Sequence, residues 1–215
     1  MATTSDVVTY LQENVNWVKF FSVIDTLGRT MNAQKDRMDK SDVIEMALET
    51  FSEGAVRYMN NDGVDHILVN LPDSQNKPTT QEMKFGSGCF YKQVSTERAN
   101  RRTGNPGKKK LVLADRPVTL KLINSMGSNT HVSMPRDYAE FLLVVDNNSA
   151  FVIEVDDLDP YLDYGGDGIE AQKVPANLFT KVVGPEDVIS RKPLNNFNYK
   201  EEKLKFQRDF LNKFN

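Results

Sequence analysis

The chain has 215 residues, 39% of them hydrophobic and 27% charged, with a formal net charge of −3. That composition is globular, and the length is enough to bury a core without staples, so a disordered chain is excluded. The apolar runs are too short to cross a bilayer, no secretory signal is visible at the N-terminus, and the net charge argues against a general nucleic-acid coat protein.

In chain order, residues 5–27 read as a helix. Ser5 is its candidate cap, Val8, Leu11, Val15, Val18 and Val23 recur near helical spacing, and Gly28 ends it. A polar loop over 29–40 leads to a second helix over 41–53, whose stripe is Ile44, Ala47, Leu48 and Phe51 and whose stop is Gly54. The pattern then changes to strands at 55–59, 64–69 and 79–85. Turn residues separate them at 60–63 and 70–78. Residues 86–110 are polar and basic, broken by Gly104, Pro106 and Gly107. A helix is expected over 116–126, with Asp115 as cap and Pro117 in its first turn. Two apolar runs, 141–145 and 150–155, flank Asp146, Asn147, Asn148 and Ser149 and read as strand, turn, strand. Edge strands are expected at 169–174 and 179–183, and a closing helix at 199–214. This order predicts an α/β fold, a mixed β-sheet flanked by helices. One domain spans 1–215, with a helical region at 5–53 and a hairpin at 55–85.

The lone cysteine, Cys89, can form no intramolecular disulfide. With only His66 and His131 beside it, it builds no zinc site unless carboxylates join, and a cytoplasmic location is the economical expectation. No phosphate-cradling glycine loop and no nucleophile elbow are present, so neither a nucleotide cofactor nor serine catalysis is expected.

The chemistry concentrates in the hairpin. Folded about a turn near Asp73 and Ser74, it sets Asp65 opposite positions 82 and 83. Strand residues alternate between faces, so Glu82 and Lys84 share one. Two carboxylates and an ammonium therefore converge. Carboxylate oxygens suit Mg²⁺, which keeps waters and accepts phosphate oxygens. Lys84 is placed to orient or deprotonate an attacking water, or to stabilise developing negative charge. The plainer alternative is a cross-strand ion-pair ladder. Against it, Ile67, Leu68, Val69 and Phe85 are apolar, and buried acids want a partner or a metal.

Gly63-Val64-Asp65 and Gln81-Glu82-Met83-Lys84 resemble the motif of the PD-(D/E)xK nucleases, of which type II restriction endonucleases are members. Val64 stands where that family frequently has proline. The resemblance covers residues 41–85. It implies a restriction-endonuclease-like core with Asp65 and Glu82 as Mg²⁺ ligands, and Glu45 or Glu49, on the preceding helix, as a further metal-associated carboxylate. A literal Pro72-Asp73 pair also precedes Glu82, but it falls at the turn tip, far from Glu82 across the hairpin. The expected function is a Mg²⁺-dependent, site-specific endonuclease of double-stranded DNA, acting as a homodimer on a two-fold target. The alternatives are a structure-specific, phage or repair nuclease, and a non-catalytic DNA-binding protein of the same fold.

Arg98, Arg101, Arg102, Lys108, Lys109 and Lys110 lie close together with no acid among them and suit a loop that follows phosphates. Asn129, in the polar loop 127–131, and Gln172 are candidates for reading base edges. The acidic stretch 154–170 would repel DNA and is expected as a solvated face. Trp17, Phe20 and Phe21 are expected in the core, with a dimer contact as the alternative. His66 should point to the face opposite Asp65.

Overall fold

A computed structural model describes residues 2–33, 40–61, 64–73, 75–85, 91–94, 110–113, 117–123, 139–146, 149–164, 169–188 and, near the C-terminus, 201, 204, 205, 208 and 212. The first helix is two. Helix α1 (Thr4–Asn14) starts on Thr3, not Ser5. The Thr3 hydroxyl accepts the Asp6 N–H, and the Asp6 carboxylate accepts the Thr3 N–H in return. The chain turns extended at Val15 and restarts as α2 (Trp17–Ala33). Asn16 makes the break, because its side-chain oxygen accepts the Lys19 N–H and caps the new helix. Helix α2 passes through Gly28 and takes up Arg29–Ala33, expected as loop. A lone glycine weakens a helix without having to end it. Helix α3 (Lys40–Phe51) lies where expected. It stops at Glu53 and Gly54, both with positive φ (53° and 87°), the left-handed backbone that ends many helices.

The strands follow. They are β1 (Val56–Asn61), β2 (Val64–Pro72), β3 (Pro78–Phe85), β4 (Tyr91–Val94), β5 (Lys110–Leu113) and β6 (Val118–Ile123). Then come β7 (Phe141–Val145), β8 (Ala150–Glu154), β9 (Leu162–Asp163), β10 (Ile169–Val174) and β11 (Thr180–Val183). A six-stranded sheet has the order β1-β2-β3-β7-β8-β11. It is mixed, since β3 runs parallel to β7 while the other neighbouring strands pair antiparallel. Strands β6, β10 and β9 form a second sheet, and β4 and β5 a two-stranded ribbon. The β2–β3 turn is built by Asp73, whose carboxylate accepts the N–H groups of Gln75 and Lys77 at 2.7 and 2.8 Å. Asp73 is thus a turn residue, as its place at the tip required.

Residues 118–123, expected inside a helix, are strand β6. Val118, Leu120 and Leu122 are buried while Thr119 is exposed, which is a period of two. Pairing with β10, from Val174↔Val118 to Ile169↔Ile123, overrides the cap-like Asp115-Arg116-Pro117. The closing helix over 199–214 lies mostly outside the described residues; Glu201, Leu204, Lys205, Arg208 and Asn212 are helical and exposed.

The main sheet is buried on both faces. On one, Leu68, Met83, Phe141, Leu143 and Val152 pack with Val43, Ile44, Ala47 and Leu48 of α3 and with the buried side chains of α1 and α2. Trp17, Phe20 and Phe21 stack edge and tilted within that core, as expected of them. On the other face, Leu142, Val144, Phe151 and Ile153 pack against the β6-β10-β9 sheet. Strands buried on both faces read as continuous apolar runs, which is why 141–145 shows no alternation. No helix among the described residues is long and apolar enough to cross a membrane.

Candidate active site

The register of β2 with β3 includes Leu68↔Thr79, Ile67↔Thr80 and His66↔Gln81. One step further sets Asp65 against Glu82. At that step a side chain joins the strands, since Asp65 Oδ2 accepts the Met83 N–H at 2.7 Å. In the parallel pairing, Glu82 and Lys84 flank Leu142 and Val144, so they share the face of the second core. Lys84 Nζ contacts Glu82 Oε1 at 2.5 Å. The Glu82 side chain is 6% exposed and that of Lys84 27%, so the carboxylate lies inside and the ammonium at the boundary. Asp65 is half-buried. The hairpin therefore brings together the three groups that the spacing singled out.

Electrostatics set the character of Glu82. Burial pushes its carboxyl above the usual range, and the negative charge of Asp65 pushes the same way. The Lys84 ammonium pulls it back by charge and hydrogen bond. The second oxygen, Oε2, is buried and has no hydrogen-bond partner among the described residues. An orphaned carboxylate oxygen beside a second carboxylate fits a hard divalent cation. Two carboxylates suffice for Mg²⁺, which completes its shell with water and phosphate oxygens. Among the described residues no group of three or more His, Cys, Asp and Glu side chains is arranged around one point.

The other sequence candidates fall elsewhere. Glu49 Oε2 accepts the Tyr58 N–H at 2.9 Å and covers part of the edge strand β1. The backbone carbonyl of Glu45 faces His66 Nε2 at 2.9 Å. Both glutamates are on α3, which packs on the sheet face opposite Asp65 and Glu82. The amide of Gln172 donates to Asp163 and, at 3.3 Å, to Glu170. It is therefore held among carboxylates, a poor setting for base readout. Asp156, Asp157, Asp159 and Asp163 are exposed, the solvated acidic face expected of 154–170. Lys110 opens β5, and Val94↔Lys110 pairs the ends of the ribbon, so the basic segment joins β4 to β5. Arg98, Arg101, Arg102, Lys108, Lys109 and Asn129 lie outside the described residues, as do Cys89 and His131.

Behind the site is a polar pair that the sequence did not single out as a unit. His66 and Gln81 face each other across the hairpin, and both are fully buried on the helix side. A carbonyl only accepts, so His66 Nε2 carries the proton it gives to Glu45, and Nδ1 is a bare lone pair. Among the described residues, Nδ1 and both amide atoms of Gln81 have no hydrogen-bond partner. Burial holds the imidazole below its ordinary pKa, against the opposing pull of the Glu45 carbonyl and the charges of Asp65 and Glu49. Their alternation with Asp65 and Glu82 was the available signal, since it assigns 66 and 81 to the inner face.

Set against family models, curated proteins and solved structures, the chain matches none of them.

Proposed function

We propose that the chain is a Mg²⁺-dependent endonuclease that hydrolyses phosphodiester bonds in double-stranded DNA, on a restriction-endonuclease-like core. The observation that carries this reading is the Asp65–Glu82 pair, with one buried carboxylate oxygen that has no hydrogen-bond partner among the described residues and Lys84 alongside. Asp65 and Glu82 hold the cation, and Asp65 is braced for this by the Met83 N–H. When bound, the ion neutralises phosphate charge and eases deprotonation of water. Lys84 faces the phosphate and stabilises negative charge as the water oxygen attacks phosphorus and the bond to the leaving sugar oxygen breaks. The basic segment between β4 and β5 follows the DNA backbone. A homodimer would set one site on each strand of a two-fold target, the arrangement of a type II restriction enzyme.

A second reading is a DNA-binding protein of the same fold without metal chemistry. It is favoured by the lack, among the described residues, of a third ligating side chain beside Asp65 and Glu82. Incubating plasmid with purified protein in Mg²⁺, and in parallel in EDTA, separates the readings. Discrete fragments that vanish in EDTA support the site-specific enzyme. A smear supports a structure-reading or unspecific nuclease. Intact plasmid with a retarded band supports the binder.

A further inference from the structure

We propose that the Glu82–Lys84 ion pair is a cation-operated latch, in which Lys84 is held on Glu82 until a divalent cation takes over the carboxylate and frees the ammonium for phosphate. The inference rests on Asp65 and Glu82 being a metal site, and concerns how that site is regulated.

The competition is built into the geometry. Lys84 Nζ sits on Glu82 Oε1 at 2.5 Å, and the other oxygen of that carboxylate has no hydrogen-bond partner among the described residues. An ammonium held this closely is a poorer partner for a phosphate oxygen, because both anions want the same charge. Asp65 and Glu82 together carry two negative charges, and Lys84 offsets one. A divalent cation brings twice the charge of Lys84 to the same carboxylates, and its repulsion disfavours an ammonium in contact with Glu82. The release path is open. Lys84 is 27% exposed, and its four-carbon stem can carry the head toward solvent while Glu82 stays buried. The two residues are on one strand two positions apart, so the exchange needs only a rotamer change. Cation entry would thus arm Lys84, and the metal-free protein would meet DNA with its reactive amine engaged.

Two measurements on the full chain test this. Mn²⁺ binding is followed by the loss of the free-ion electron paramagnetic resonance signal. Lysine acetylation by a pulse of N-hydroxysuccinimidyl acetate at fixed pH is read by peptide mass spectrometry. Lys181, on β11 three strands along the sheet from β3 and paired with Glu186 at 2.6 Å, is the internal reference. Mn²⁺ is expected to raise labelling of Lys84 roughly three- to fivefold, the scale of releasing a partly exposed ion pair, and to leave Lys181 unchanged. Lys84→Ala is expected to bind Mn²⁺ tighter by a similar factor. Glu82→Gln should label Lys84 rapidly with or without Mn²⁺. If wild type binds Mn²⁺ and Asp65→Asn loses it, but Mn²⁺ does not change Lys84 labelling, the latch is overturned and the metal site stands. If wild type binds no Mn²⁺, the metal site falls and the latch with it. The labelling arm uses wild type, so the outcome does not depend on how Lys84→Ala folds.

Discussion

The Met83 N–H donates to Asp65 Oδ2 at 2.7 Å, which ties the strand bearing Glu82 and Lys84 to the strand bearing Asp65. The hydrogen bond occupies one oxygen of Asp65 and fixes where the other points. Asp65→Asn retains a carbonyl oxygen for Met83 and removes the charge. It is expected to abolish Mn²⁺ binding with little loss of stability. Asp65→Ala removes both, leaves a part-buried donor unpaired, and should cost about 1–2 kcal/mol in urea unfolding.

Glu82→Ala and Lys84→Ala are each expected to lower plasmid cleavage by at least about 100-fold, the scale of removing one group that acts on developing charge. Retardation of plasmid in the gel should persist in both, because the basic segment is untouched. Undiminished cutting by either variant refutes the assignment.

Acid should switch the site off early. A cation held by Asp65 and Glu82, as proposed, would need the ionised carboxylate, and burial holds Glu82 above the ordinary glutamate value of 4.5. At limiting Mn²⁺, cation binding should therefore weaken at a higher pH than an exposed glutamate would show, because the ion competes with a proton that burial favours. For stability the sign is reversed. A carboxyl raised by burial favours the folded state while protonated, and costs stability once ionised. Glu82→Gln should accordingly raise the neutral-pH Tm by a few degrees, about 1 kcal/mol, as Lys84 moves to solvent.

His66 acts in the opposite sense. Its imidazole is held neutral by burial, so the unfolded chain takes up a proton first. Stability is fully present above the unfolded value of 6.5 and declines as pH falls below it, by about 1.4 kcal/mol per unit until the folded imidazole also titrates. Denaturant unfolding at stepped pH should show this slope, and His66→Gln should flatten it.

The basic segment is expected to contribute affinity without sequence preference. Replacing Arg101, Arg102, Lys108 and Lys109 by alanine should weaken binding to unrelated duplexes alike. It should also reduce the slope of log K against log salt by about 0.9 for each phosphate that these side chains neutralise in the parent protein. An unchanged slope would remove this segment from the interface.

Much of the site was legible in the sequence. Strand geometry applied to 64–69 and 79–85, with turn residues between them, puts Glu82 and Lys84 on one face and Asp65 opposite positions 82 and 83, and the observed register agrees. Helix α3 and the β7–β8 hairpin were legible for the same reason, since their signals are local. Other features were not. Asn16 breaks a helix that the apolar spacing carries straight through, because one side-chain cap outweighs a periodicity that both helices share. The run 118–123, expected as helix from the cap-like Asp115-Arg116-Pro117, alternates as Val118-Thr119-Leu120-Lys121-Leu122, and pairing with β10, some fifty residues away, makes it a strand.

What the amino-acid sequence determined alone is therefore the set of local rules: alternation along strands, turns at Asp73 and Asp146, and an acid–acid–ammonium grouping across one hairpin. The tertiary structure decided how deep that grouping sits. Glu82 is buried because β7 lies alongside β3 and the β6-β10-β9 sheet packs on the same face, through residues about thirty-five to ninety positions further on. Desolvation depends on every layer that excludes water, so the raised Glu82 carboxyl and an Oε2 with no hydrogen-bond partner among the described residues follow from packing that no short window of sequence contains.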